Sequence, residues 1–237
     1  MKRKALLIGN TGDLEGVQLD IAKLRRFLKS PTGGAWEDSE ILVVENPGLS
    51  DFLLRLDLLR LQSLDFAFVM FSGHGAHIRE TVLALNPKNE LLQETKLHNL
   101  APRQVTVVDC CRGVMTEVLA KATPTMEALD AAYVDRAAVR KRYDNLIMAA
   151  MKQQARLYAC SIDEAATDDS KKGAVYLGHL LDSAHAFESG VNFKTVEAAH
   201  AQAKAKTLSD SRTSDQTPEA LLPKCLPEQQ LILSIRP

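Results

Sequence analysis

Two apolar runs, each ending in a short polar motif, constrain the fold of this chain more than any other feature. Residues 66–71 lead into Ser72-Gly73-His74-Gly75, and residues 105–108 lead into Asp109-Cys110-Cys111-Arg112-Gly113. A short apolar run bounded by turn residues is typical of a strand buried on both faces, as in a parallel sheet. Parallel neighbours lie about 4.8 Å apart, so their carboxyl ends would bring a histidine and a cysteine to one edge of the sheet. In open α/β sheets that edge is where ligands bind.

The rest of the chain alternates further strands with helices. Strands are predicted at residues 5–8, 41–44, 156–160 and 231–235, and helices around residues 17–28, 52–59, 173–186 and 193–208. Weak alternation between residues 77 and 87 predicts a small hairpin beside the sheet. Six strands joined by helical crossovers predict a doubly wound, mostly parallel α/β sheet flanked by helices.

Length and composition fit one globular domain. The 237 residues are 46% hydrophobic and 25% charged, and the formal net charge of −1 gives no indication of a nucleic-acid or membrane partner. The apolar run before Gly9 is too short for a signal peptide or a membrane span. The four cysteines, two of them adjacent, do not suggest a disulfide framework, so a cytoplasmic location is expected.

A histidine and a cysteine at one sheet edge suit catalysis by a thiol. The nucleophile needs an imidazole to take and return its proton, and donors for the oxyanion. His74 would be that base, and the amides of Gly75 and of the nucleophilic cysteine would form the oxyanion hole. A core histidine and two core cysteines are the simpler interpretation of either motif alone, because free cysteine is often only buried. The presence of both motifs on predicted neighbouring strands favours a site.

Zinc binding is the other chemistry open to His74, His77, Cys110 and Cys111. Structural zinc sites usually separate paired cysteines by two to four residues, because adjacent side chains in a strand point to opposite faces. We therefore predict no metal site. The same alternation means that only one of the two cysteines is catalytic, and spacing alone does not choose between them.

The two motifs resemble those of the caspase-like cysteine peptidases, above all the metacaspases and their small bacterial relatives. Caspases carry Q-A-C-[RQG]-G, with the nucleophile in third place, and metacaspases carry a comparable D-x-C pattern. The resemblance implies that Cys111 is the nucleophile and that Cys110 packs in the strand. Cys111 follows His74 by 37 residues, against about 50 in caspases, which predicts a shortened connection between the two strands.

The resemblance also implies a domain plan and a specificity. One peptidase domain would span residues 1–237, with residues 1–113 large-subunit-like, 114–154 a linker and 155–237 small-subunit-like. Acidic residues of metacaspases at the positions of Asp20 and Asp109 line the pocket that selects arginine or lysine, and Ser72 would line it too. Their plain structural interpretations are an acid near a helix start for Asp20 and a loop cap for Asp109.

The expected function is therefore a cysteine endopeptidase that cleaves proteins or peptides after Arg or Lys. Caspase-like cleavage after Asp, and a catalytically silent scaffold that binds a partner, stay open as alternatives, although intact His74 and Cys111 argue against the scaffold. No cofactor is required by the sequence: some metacaspases need calcium, no EF-hand-like loop is present, and the scattered acids leave calcium activation open. A regulatory protein partner is expected, and residues 140–142 (Arg-Lys-Arg) are a candidate self-processing site.

Overall fold

The computed structural model describes residues 1–113 and 135–237. The helices are α1 (Gly16–Lys29), α2 (Leu49–Arg60), α3 (Arg136–Ala149), α4 (Val175–His185) and α5 (Val196–Ser209). The strands are β1 (Arg3–Gly9), β2 (Ile41–Glu45), β3 (Phe66–Ser72), β4 (Gly75–His77), β5 (Thr81–Ala84), β6 (Leu91–Gln93), β7 (Arg103–Asp109), β8 (Gln153–Tyr158), β9 (Asp168–Asp169), β10 (Gly173–Ala174), β11 (Phe193–Thr195), β12 (Glu219–Leu221) and β13 (Ile232–Ile235).

The central element is a six-stranded sheet in the order β12-β8-β7-β3-β1-β2. Strands β2, β1, β3, β7 and β8 pair in parallel, and β12 pairs antiparallel with β8 at one edge. The predicted doubly wound, mostly parallel α/β sheet is confirmed. Strands β3 and β7 are direct neighbours, as their two apolar runs indicated.

Strand β3 shows why the central runs are apolar without alternation. All seven of its residues are buried. Phe66, Phe68 and Met70 belong to the core on the face covered by α1, α4 and α5, whereas Val69 and Phe71 belong to a second core that includes residues of α2. Because both faces of the sheet are covered, every position of the strand from Phe66 to Phe71 is apolar.

The prediction that residues 231–235 form a strand of the main sheet is wrong. Strand β13 instead pairs antiparallel with β11 in a separate two-stranded sheet, and its apolar side chains are buried because α3, α4 and α5 pack on it. The sixth strand of the main sheet is β12, with Glu219 opposite Tyr158. Two of its three residues are partly buried and Leu221 is exposed, so they carry no signal of a buried strand.

The connections differ from the predictions mainly at their boundaries. The segment after His74 contains the predicted hairpin, β4–β5, extended by β6 into a three-stranded sheet. Helix α5 begins at Val196 rather than near residue 193, because the preceding residues form β11 and the Thr195 side chain caps the helix. Helix α3 lies in the segment interpreted as a linker, and residues 114–134 of that segment lie outside the described residues. No helix in the two described ranges has the length and apolar character needed to cross a membrane.

Candidate active site

The two motifs leave the sheet at the same edge. Ser72, the last residue of β3, lies opposite Asp109, the last residue of β7, and the backbone N–H of Gly73 donates to the carbonyl of Asp109 over 3.2 Å. His74 and Cys111 each follow this residue pair by two positions. The edge is the carboxyl end of the parallel strands, where α/β sheets bind their ligands.

His74 is held in a tight turn at this edge. Gly73 has φ +152°, and a Cβ there would lie 2.9 Å from the Cβ of Asn10, so the turn requires glycine. The His74 carbonyl accepts a hydrogen bond from the Ala84 amide at 2.9 Å. The ring Nε2 lies 2.7 Å from Oδ1 of Asp13, and the side chain is 35% exposed. The imidazole is therefore fixed but accessible.

The two adjacent cysteines have different environments. Cys110 is 3% exposed and packs in the core between the sheet and α2, where a Cβ on Gly75 would lie 2.5 Å from its Sγ. Cys111 is partly exposed, and its thiol points to the carbonyl of Ala166 at 3.7 Å. Burial, with the nearby charge of Asp109, raises the pKa of the Cys111 thiol. A thiol held protonated in this way needs a base before it can act as a nucleophile.

Arg112 fixes the backbone that follows Cys111. Its Nη1 donates to the carbonyl of Cys160 (3.1 Å) and to Oε2 of Glu219 (2.9 Å). The guanidinium lies 4.3 Å from the ring centroid of Tyr158, and the Arg112 amide donates to the carbonyl of Glu164 at 2.9 Å. These contacts tie the loop of Cys111 to β8 and β12, so Arg112 positions the nucleophile's loop rather than forming a pocket for ligands.

Asp20, Ser72 and Asp109 lie together beneath the start of α4. Oδ2 of Asp20 accepts from the Ser72 hydroxyl at 2.7 Å, and Oδ1 accepts from the Ala174 amide at 2.8 Å. Oδ2 of Asp109 accepts from the Leu177 amide at 3.1 Å. Both carboxylates thus satisfy backbone donors at a helix N-terminus, where negative charge is favoured. Asp20 and Asp109 are 1% and 4% exposed, so in this conformation both carboxylates hold the start of α4 against the sheet.

Burial dominates the electrostatics of this pair. It raises the pKa of Asp20 to about 7. It raises the pKa of Asp109 well above its usual range, and the charge of Asp20 adds to that effect. Placing two carboxyls together out of water means that the cluster holds protons around neutral pH, unless a cation compensates its charge.

Asp168 is a third acid of this cluster that the sequence reasoning did not choose as a site residue. Both of its carboxylate oxygens are buried and lack a hydrogen-bond partner of ordinary geometry among the described residues. A Cβ on Gly16 would lie 1.9 Å from its Oδ1, and burial raises the pKa of Asp168. A buried carboxylate that is short of well-aligned donors is unfavourable.

A hairpin made of β9 and β10, which itself carries Asp168, packs over Asp20. Gly173 in this hairpin has φ +69°, and a Cβ there would lie 2.2 Å from Oδ1 of Asp20. The Lys23 ammonium donates to the carbonyl of Lys172 at 2.6 Å, and Arg212 pairs with Asp169 at 3.2 Å. The hairpin therefore must shift before a side chain of a substrate can reach the carboxylates.

The remaining candidates are not brought into one site. His77 contacts the Thr81 hydroxyl at 3.4 Å. No group of three or more His, Cys, Asp or Glu side chains within residues 1–113 and 135–237 is arranged to hold a metal ion. Cys110, Cys111, Cys160 and Cys225 are free thiols.

The basic run at residues 140–142 lies inside α3. Arg140 pairs there with Glu40, and Arg142 donates to the carbonyls of Asn192 and Arg236. A protease binds its substrate extended, so this helix would have to unfold before cleavage. We therefore do not expect self-processing at these residues in the folded chain.

The raised pKa of Asp20 predicts how the stability of the protein changes with pH. Its folded-state pKa lies above its usual value near 4, so ionisation opposes folding, and the free energy of unfolding falls as pH rises from about 4 to 7. Asp20→Asn keeps an acceptor for the Ala174 amide and never ionises. We expect the variant to be more stable than the parent at pH 8 by about 4 kcal/mol, and about equal to it at pH 4. Denaturant unfolding at both pH values measures this difference, and an equal or lower stability of the variant at pH 8 would contradict the burial argument.

Comparison with known proteins places this chain in a family. The family described as Caspase domain matches residues 2–221. The crystal structure of caspase-1 from Spodoptera frugiperda is similar, with a TM-score of 0.61 and 12% sequence identity over 93% of this chain and 86% of that chain. At that identity the likeness shows the fold alone, and no curated protein matches the sequence. The family match covers nearly the whole chain, so the protein belongs to the caspase-domain family and is a cysteine-type endopeptidase.

Proposed function

We propose that this endopeptidase cleaves proteins or peptides after arginine or lysine, with His74 and Cys111 as its catalytic dyad. The observation that carries the proposal is the register of β3 and β7, in which Ser72 faces Asp109. Both motifs begin from that pair. The same edge therefore has a partly exposed thiol, an accessible imidazole and a cluster of carboxyls.

The chemistry follows from the groups at this edge. A nitrogen of the His74 imidazole takes the thiol proton of Cys111, and the sulfur then attacks the carbonyl carbon of the scissile bond. The amides of Gly75 and Cys111 donate to the oxyanion that forms. When the C–N bond breaks, the imidazolium gives its proton to the leaving amine, which leaves a thioester on Cys111. Water, deprotonated by His74, hydrolyses the thioester and restores the thiol.

The carboxyls of Asp20, Asp109 and Asp168 support the preference for a basic residue before the scissile bond. The buried oxygens of Asp168 lack a hydrogen-bond partner of ordinary geometry among the described residues, and a guanidinium carries five N–H donors in a planar fork. Charge-assisted contacts of this kind repay the loss of hydration that a cation suffers on burial. An aspartate side chain would add a further carboxylate and no compensating cation, so this cluster disfavours the alternative of cleavage after Asp.

Access to the cluster is part of the proposal, because the hairpin of β9 and β10 covers it. A regulatory protein partner or bound calcium would be a source of the required shift, and neither is needed for the dyad itself. The free thiols support a reducing, cytoplasmic setting for the enzyme. Likeness to the metacaspases within the caspase-domain family rests on the D-x-C motif and on the acidic positions 20 and 109.

Matched peptides that differ only in the residue before the scissile bond test the proposed specificity. We expect kcat/KM for the Arg and Lys peptides to exceed that for the Asp peptide by about 100-fold or more, the scale of one desolvated charge pair. A peptide with norleucine at this position is the control for side-chain length without charge. Faster hydrolysis of the Asp peptide, or equal rates for lysine and norleucine, would contradict the acidic pocket. Absence of hydrolysis of every peptide would favour the silent scaffold.

A further inference from the structure

His74 has an acidic partner that lies 61 residues earlier in the chain. The ring Nε2 and Oδ1 of Asp13 are 2.7 Å apart, a short distance that is typical of a charge-assisted hydrogen bond. Asp13 lies in the loop between β1 and α1, whereas His74 follows β3. A dyad alone does not account for this contact.

The loop that carries Asp13 and the backbone of His74 are both hydrogen-bonded to Ala84. The side chain of Asn10, which is buried, donates from Nδ2 to the carbonyl of Ala84 at 3.0 Å, and the Ala84 amide donates to the carbonyl of His74 at 2.9 Å. The Gly12 amide donates to Oδ1 of Asn10 at 3.3 Å, and a Cβ on Gly12 would lie 2.8 Å from Pro87. The contact between acid and imidazole is therefore built into the fold from both sides.

We propose that Asp13 is a positioning residue for His74, an inference that rests on the proposed dyad. The Asp13 carboxylate accepts the hydrogen on Nε2, which fixes the tautomer and leaves the lone pair on Nδ1 as the base for the Cys111 thiol. After Nδ1 has taken that proton, the Asp13 carboxylate stabilises the positive charge on the ring. The proton goes from sulfur to Nδ1 and then to the leaving amine, and none is transferred to Asp13.

Exposure limits the size of the effect. The Asp13 side chain is 69% exposed and that of His74 is 35% exposed, so water competes with the contact and salt screens it. A buried acid that orients a catalytic histidine is worth about 10⁴-fold in rate. For the exposed pair we expect a loss of about 10- to 100-fold, the range for partners that orient metal-bound histidines.

Three substitutions separate positioning from general damage to the loop. Asp13→Ala removes both acceptor and charge, and we expect kcat to fall about 10- to 100-fold while KM changes less than about twofold. Asp13→Asn keeps an acceptor oxygen without the charge, so its kcat should lie between those of the parent and the alanine variant. Thr11→Ala is the matched control, because Thr11 lies in the same loop as Asp13 but does not contact His74. The substitution removes the hydrogen bond that Nδ2 of Asn46 donates to the Thr11 hydroxyl at 2.7 Å. The control should keep nearly the full kcat.

A second measurement reads the contact without any substrate. Nitrogen chemical shifts of the His74 ring should report hydrogen on Nε2 in the parent and a mixture of tautomers in Asp13→Ala. The proposal is overturned if Asp13→Ala keeps kcat within about twofold of the parent, if Thr11→Ala loses as much as Asp13→Ala, or if the tautomer is unchanged. His74→Ala with full activity would instead overturn the dyad, which distinguishes failure of the proposed function from failure of this inference.

Discussion

Replacing Cys111 with alanine is expected to abolish peptide hydrolysis, whereas Cys110→Ala is expected to keep most of it. Cys111 is partly exposed at the sheet edge, and its thiol would form the acyl-enzyme, for which a methyl group has no substitute. Cys110 is 3% exposed, packs against Gly75 and has a pKa raised well above its usual range by burial. It therefore acts as a small apolar side chain of the core.

Measuring both activity and stability of the two variants separates loss of the nucleophile from loss of core packing. Cys110→Ala loses the packing of one sulfur and should be destabilised by about 1 kcal/mol, the scale of a buried methylene. Cys111→Ala should melt near the temperature of the parent chain. If a folded Cys110→Ala were inactive and Cys111→Ala active, the nucleophile would be one residue earlier than the motif implies.

Removing the charge of Asp20 or Asp109 should reduce hydrolysis of arginine peptides by about 30- to 4,000-fold in kcat/KM. This range is the 2–5 kcal/mol typical of truncating one partner of a desolvated charge pair. Asparagine is the informative replacement, because its oxygen still accepts from the Ala174 or Leu177 amide that each carboxylate holds at the start of α4. The helix therefore stays capped while the pocket loses a charge.

Asp169→Asn is the matched control for these acids. Asp169 lies in the same hairpin as Asp168, but its carboxylate already pairs with Arg212 and with the amides of Lys171 and Lys172. The control should keep the parent preference for arginine over norleucine, and the variants at positions 20 and 109 should lose it. Wild-type efficiency of both variants on arginine peptides would show that these acids only cap the helix, and would leave the dyad unaffected.

Sequence patterns predicted the central sheet because its strands are buried on both faces. Continuous apolar runs such as residues 66–71 identify such strands, and the polar residue at the end of each run identifies the edge where side chains meet. The same logic failed for β12 and β13. An apolar run shows burial but not the strand that it pairs with, and the partly exposed β12 has no pattern at all.

The site was predictable only where chemistry and a sequence motif coincide. His74 and Cys111 follow strand ends and carry reactive groups, so they stand out. Asp13, in a loop, and Asp168, in β9, follow no motif of their own, and they stand out only through tertiary contacts. Asp13 contacts the His74 ring, and Asp168 lies near the buried Asp20 and Asp109. The capping of α4 by Asp20 and Asp109 likewise depends on long-range pairing that residue spacing does not encode.

Covalent trapping of the nucleophile tests the central claim most directly. A peptide that ends in arginine and carries a thiol-reactive group in place of the scissile bond would be incubated with the parent chain and with His74→Ala. Mass spectrometry of the digested protein would then locate the adduct. We expect one adduct, on Cys111, formed much faster in the parent than in His74→Ala and much faster than with a matched peptide ending in aspartate. An adduct on Cys110, or equal labelling by both peptides and in both proteins, would contradict a Cys111–His74 peptidase specific for basic residues.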